Sequence, residues 1–492
     1  MESLSDTVWD VVLSGTGLPQ SLLALALSRS GKKILHIDKN DYYGGSEAAL
    51  SLQEVESWAG RVEKLGEGSW WLYDTEGSKD AGGEEDFKAV KASLKRIPGG
   101  REDVFADKSI DLRSSRSLMK FLKLAADPEA HTSILEEWGS RPFPDILGSH
   151  LNIPSRLQAP LLALTSSQNI PARTLTSYAL PSIHRHLTSI GLFGPGFGAV
   201  IPKWGGLAEI AQVACRAQAV GGGVYILKKG FETNEDPAKQ AFGRDGTRCD
   251  NETGLSTVRL EGEDIKTRWI VGSAWDLPSR AHVQELTSQV SPNYVARSIT
   301  IVNGSLSQLF PSPVESAPPT AGAVVVYPTD TLELESEDQK PNTLKTEVPP
   351  IYLIVHSSDT GECPVGQCVI YAYAFHPKYY DAHSLLQIAV EKLLSSVSED
   401  PSTEILWHLH YDQQYVPPGT AYDYEANIRS DQMTNSNVLQ LPDLEPSLVL
   451  EDGVLKHVKA AYERIAGEGT AFMLFEDREG AAEEDHDGAE RE

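Results

Sequence analysis

The residues with the clearest chemical potential stand near the N-terminus: Gly15-x-Gly17-x-x-Gln20, followed 23 residues after the first glycine by Asp38. A turn of this type lets the backbone approach a diphosphate, aims a helix N-terminus at the phosphates, and places a carboxylate to accept from ribose hydroxyls. Two of the three glycines are kept here, but Gln20 replaces the third, where helix and strand pack closest. The pattern therefore predicts a dinucleotide-type fold in which nucleotide binding is weakened. A flavin-dependent oxidoreductase stays open as the alternative that the turn by itself suggests.

Other reactive patterns are weaker. Cys363-x4-Cys368 has no second ligand pair at zinc-like spacing, so its thiols read as buried or idle. His408 and His410 would share one face of a strand, yet no carboxylate motif accompanies them, and core or surface histidines is the reading. No Gly-x-Ser-x-Gly elbow, phosphate-binding P-loop or His-Glu-x-x-His occurs. The expectation is a chain with no catalytic group, no metal and no bound cofactor.

The elements that must carry the glycine turn are legible. Residues 8–14 read as a buried strand, Leu18–Ser30 as a helix closed by Gly31, and Ile34–Asp38 as a second strand, which is a βαβ opening. From Gly66 to Gly100 the sequence loosens, and residues 77–86 read as an exposed acidic loop. Helical periodicity dominates from Ser114 to Ile190. Glycine-rich sequence then leads to a helix at 207–219 and to strand-like segments at Val224–Leu227, Trp269–Val271, Val324–Tyr327, Ile351–Val355 and Val369–Ala374. Residues 311–349 suggest a long surface loop, and 476–492, with nine acidic residues against two arginines, a disordered tail. The fold class is α/β (α+β): a flavin-type dinucleotide-binding-like domain built from 1–112 and 199–475, with a helical domain inserted at 113–198.

Composition narrows the partners. With 43 basic and 70 acidic residues the formal net charge is −27, which on average repels phosphate backbones and anionic lipid, so nucleic acid is not expected. Such a surface suits a partner with exposed Lys and Arg. Four scattered cysteines, no apolar run of membrane-spanning length and no prenylation signal point to a reducing, cytoplasmic setting.

Three further blocks narrow the field. Asp10-Val11-Val12-Leu13-Ser14-Gly15-Thr16-Gly17-Leu18, then Lys32-Lys33-Ile34-Leu35-His36-Ile37-Asp38, then Tyr42-Tyr43-Gly44-Gly45 together resemble the Rab GDP dissociation inhibitor and escort family, whose own turn lacks the third glycine. Pro98–Phe105, Arg116–Leu122, Ile405-Leu406-Trp407, the helix near 454–465 and the acidic tail are similar to the escort branch. The resemblance covers most of residues 8–230 and is patchier to 475.

It implies an accessory protein that binds GDP-loaded, unprenylated Rab GTPases, presents them to the α/β heterodimer of Rab geranylgeranyltransferase, shields the geranylgeranyl lipid, and delivers the product through transient membrane contact. A recycling inhibitor of prenylated Rabs is the alternative within the family. The resemblance places Rab contacts at Tyr43, Glu209, Arg216, Val224 and Ile226, against the plainer reading of a solvated helix face and ordinary strand residues. Within the helical domain Phe121, an aromatic on a helix, is the expected transferase contact, with inward packing beside Leu118 and Leu122 as the other reading. The resemblance also marks one departure: Trp58-Ala59-Gly60-Arg61 runs almost directly into Gly66, where the family carries additional helical sequence, which implies a shortened platform.

Overall fold

The computed structural model describes residues 4–65, 70–72, 111–190, 192, 205–231, 248–277, 293–332, 348–376, 382–397, 403–415, 437–450 and 452–473, less positions 29, 251–252, 274, 313–318, 330, 443 and 445–447. The loop at 77–86, the block at 98–105 and the tail at 476–492 lie outside the described residues.

The opening βαβ unit forms as its pattern dictates. β1 (Val8–Ser14) and β2 (Ile34–Asp38) are short, largely buried apolar runs that pair in parallel, Val12 beside Leu35. Between them α1 (Leu18–Leu27) starts with Pro19 in its first turn, where the missing N–H costs nothing. Gly15 takes φ +88°, a conformation that favours glycine and makes the tight turn possible. α2 (Leu52–Leu65) runs as a continuous helix through the segment expected to be shortened, and β3 (Trp70–Leu72) follows. The loosened stretch after Gly66 thus contributes an edge strand, which its small, polar surroundings do not signal.

The helical segment comprises α3 (Leu112–Ala126), α4 (Thr132–Trp138), α5 (Ser155–Ala163) and α6 (Thr176–Thr188). Asp111 caps α3 by accepting from the amides of Arg113 and Ser114 at 3.0 and 2.9 Å. Leu118, Phe121 and Leu124 of α3 meet Leu161 of α5 and Leu180 and Ile183 of α6 in a core of their own. Full burial of each such side chain contributes about 1.5–3 kcal/mol.

After α7 (Leu207–Val220) the chain returns to sheet with β4 (Val224–Leu227), β5 (Arg248–Asp250), β6 (Leu255–Leu260) and β7 (Glu263–Gly272). It continues through β8 (Asn293–Val302), β9 (Gly322–Tyr327), β10 (Ile351–Ser357) and β11 (Cys368–His376) to α8 (Ala382–Val397), β12 (Ile405–Tyr415), β13 (Val438–Gln440) and α9 (Gly453–Ala466). The first sheet has the order β4-β2-β1-β7-β6-β5, with β13 added parallel to β7. The second has the order β3-β12-β8-β11-β10-β9 and is antiparallel throughout. The strand-like segment expected at Val324–Tyr327, inside the stretch 311–349, forms β9, the outer strand of that second sheet.

α1 is buried along most of its length against α9, with Leu22, Leu23, Ala26 and Leu27 in one core with Val458, Ala461, Tyr462 and Ile465. α8 covers one face of the second sheet, and on the other the Tyr352 hydroxyl donates to the Ser167 carbonyl at 2.8 Å, tying sheet to helical segment. The molecule is a mixed α/β fold, as the pattern predicts.

Candidate functional site

Side chains of this protein occupy the crevice in which a dinucleotide would lie. Gln20 is buried, and its amide oxygen stands 2.9 Å from where a Cβ on Gly17 would project. Asp276 presses its carboxylate against the same turn at Gly15, held there by the Ser273 hydroxyl at 2.8 Å and by Lys39 at 3.2 Å. A diphosphate approaching this turn meets an amide side chain and a fixed negative charge, so a flavin or nicotinamide dinucleotide does not fit the residues present.

Asp38, in the ribose position, is also committed elsewhere. Its Oδ2 accepts from the Thr16 amide at 2.7 Å and the Thr16 hydroxyl at 2.6 Å, and its Oδ1 from the Asn40 amide at 2.8 Å. Burial raises its pKa, and the hydrogen bonds from Thr16 and Asn40 oppose that rise. Thr16 passes the connection on, because the Gly44 amide donates to its carbonyl at 3.2 Å. The carboxylate at the ribose position thus organises the turn and fixes the segment that carries Tyr43.

His36 completes this frame. Its Nε2–H donates to the Gly15 carbonyl at 2.6 Å, which leaves Nδ1 to accept from the Tyr225 hydroxyl at 2.9 Å. Burial pushes the imidazole down to about 4, so it is neutral at physiological pH. Burial also raises the pKa of Tyr225, keeping its hydroxyl protonated as a donor.

Above the frame lies an outward surface made of Tyr43, α7 and the outer strand β4. The Tyr43 and Tyr225 rings meet edge to face at 6.0 Å between centroids. A Cβ on Gly44 would come within 3.3 Å of Ala208 Cβ, so the Tyr43 segment packs on the first turn of α7. Glu209, Val213, Arg216 and Val220 follow along α7 at helical spacing on one face. Val213 and Val220 are 61% and 76% exposed and bracket the exposed Arg216. Apolar side chains left this open beside a guanidinium and an aromatic ring have the composition of an interface.

The structure brings Tyr43, Glu209 and Arg216 to one side of the first sheet, whereas Val224 and Ile226 belong to the other. On β4 they pair beside Leu35 and Ile37, and Ile226 packs on the core of Trp9, Leu35 and Ile37. The residue between them, Tyr225, is the one that faces Tyr43. Sequence reasoning missed Tyr225, Val213 and Val220. Period-two alternation flags the first, and four-residue spacing from Glu209 and Arg216 the others.

Phe121 requires a correction. Its ring is 0% exposed, lies 6.2 Å from that of Phe143, and belongs to the helical core rather than to an outward anchor. It sits three residues from Leu118 and Leu124, on the face of α3 that the apolar spacing turns inward. His408 and His410 do share a face of β12, with ring centroids 5.2 Å apart. Among the described residues no group of three His, Cys, Asp or Glu is arranged to hold a metal, and no helix is long and apolar enough to cross a membrane.

The family model described as GDP dissociation inhibitor matches residues 5–75. The Rab proteins geranylgeranyltransferase component A of Saccharomyces cerevisiae is 28% identical over 285 residues, covering 49% of this chain and 46% of that protein. Its counterpart in Candida albicans is 25% identical over 443 residues, covering 81% of this chain and 64% of that protein. This chain therefore spans less than two thirds of the length of either fungal relative. A crystal structure of Rab GDI from Plasmodium falciparum aligns with a TM-score of 0.57 at 15% identity, covering 95% of this chain and 99% of that one, a likeness of fold. Residues 5–75 thus match the GDP dissociation inhibitor family model, and the chain is similar to proteins named Rab escort protein or Rab geranylgeranyltransferase component A in fungi, plants and animals.

Proposed function

We propose that the chain is a noncatalytic Rab escort protein. It binds GDP-loaded, unprenylated Rab GTPases on the surface formed by Tyr43, Tyr225 and the Glu209–Val220 face of α7. It then presents them to the geranylgeranyltransferase heterodimer and releases the lipidated product at membranes. The observation that carries this reading is the reassignment of the dinucleotide frame: Asp38, Thr16 and His36 hold Tyr43 and Tyr225 in place, and Gln20 and Asp276 fill the crevice. The names of the relatives support the partners, and the fold likeness to a Rab GDI supports the scaffold.

The test is reconstitution of Rab geranylgeranylation by the transferase heterodimer with and without this chain, using GDP-loaded Rab. Prenylation that depends on the chain supports the reading. Failure of GDP-loaded, unprenylated Rab to bind overturns it. The match to the inhibitor model favours one second reading, recycling of prenylated Rab. A competition between prenylated and unprenylated Rab separates the two, since a recycling inhibitor strongly prefers the prenylated form and leaves the transferase unbound.

A further inference from the structure

The charge of this chain is unevenly distributed. Residues 111–190 hold eight Lys and Arg against six Asp and Glu, a positive segment in a chain of net charge −27. Half of those cations lie in α3, as Arg113, Arg116, Lys120 and Lys123. Their spacing of three, four and three residues puts all four on one face, beside the buried face that carries Leu118, Phe121 and Leu124. All four are exposed, and none forms an ion pair among the described residues. The carboxylates at the two ends are engaged locally: Asp111 caps the helix and pairs with Arg156 at 3.1 Å, and Asp127 accepts from the Ala130 amide at 3.0 Å.

We infer that this stripe on α3 docks the protein onto an anionic phospholipid surface. The four cations span about 15 Å along the helix axis, a row that a planar array of headgroups can meet all at once. Leu112, 81% exposed, flanks the row at the N-terminal end of the helix, but two of the four cations are Lys, in which the centres of protein interfaces are depleted. Long flexible cations that gain from mobile lipid charges match its composition instead. The −27 total does not forbid this. Charges farther than about 8–10 Å from the membrane are screened at physiological salt, so the nearest face decides.

The experiment is vesicle co-flotation of the full chain alone, with no GTPase or transferase present, so its outcome is independent of the escort reading. Phosphatidylcholine vesicles are compared with vesicles in which about a quarter of the lipid is phosphatidylserine. The expected result is binding only to the anionic vesicles, lost on raising salt, and lowered at least about tenfold in Arg116→Gln/Lys120→Gln. Lys456→Gln/Lys459→Gln, which removes the same charge from exposed positions on α9, binds as wild type, and thermal melts show both variants folded. Equal flotation with neutral and anionic vesicles overturns the inference. So does undiminished binding of the α3 variant.

Discussion

The Tyr225 hydroxyl donates to Nδ1 of the buried His36 at 2.9 Å, and through the opposite ring nitrogen that bond reaches the Gly15 carbonyl at 2.6 Å. An edge strand and a glycine turn 210 residues apart in sequence are thereby joined through one imidazole. Tyr225→Phe leaves a buried acceptor unsatisfied, so urea unfolding should show a loss of about 1–3 kcal/mol. A variant as stable as wild type would remove Tyr225 from the frame.

The same imidazole sets a pH dependence. Its folded pKa, near 4, lies below the ordinary value of 6.5, so the unfolded chain binds the extra proton first as pH falls. The contribution of His36 is complete above pH 6.5 and is lost progressively down to about 4, amounting to about 3 kcal/mol. Asp38, whose pKa is raised by burial, acts in the opposite sense, so the comparison that isolates His36 is wild type against His36→Gln. Denaturant melts between pH 7 and about 4 should converge as pH falls. Parallel curves would count against it.

Arg216→Ala and Val213→Asp should each weaken GDP-loaded Rab at least about tenfold in titration calorimetry while leaving the melting temperature unchanged, because both side chains are exposed. Ile226→Ala should do the reverse. It opens the core around Trp9, Leu35 and Ile37, lowering stability by about 2–4 kcal/mol, and affects Rab only in proportion to unfolding.

Phe121→Ala removes a fully buried ring from the helical core and should cost about 3–5 kcal/mol in chemical denaturation. At a temperature where the variant remains folded, transferase capture should equal that of wild type. A variant of wild-type stability that fails to capture transferase would restore Phe121 as a contact.

Local chemistry made some of this readable and left the rest hidden. The βαβ unit, the glycine turn and the spacing of Glu209 and Arg216 follow from periodicity within about one helix length. Asp276 against Gly15 does not, because the contact forms only when β7 pairs beside β1 and brings Gly272 level with Ser14. The second sheet was similarly opaque: β12 pairs with β8 across more than a hundred residues, a register that no local signal encodes. Tyr225 differs from its neighbours Val224 and Ile226 in strand face. A strand alternates faces at every residue, so one step in either direction crosses the sheet.

The packing of α9 on α1 bears on how the protein is made. Leu22, Leu23 and Leu27 emerge from the ribosome early, but the Val458, Tyr462 and Ile465 that cover them come more than four hundred residues later. Until then α1 is covered only in part, by α7 and the first sheet, and its remaining apolar face is a substrate for chaperones until translation is nearly over. A ribosome that stalls before codon 453 leaves a product whose first-made domain has no lid and is destined for degradation rather than use.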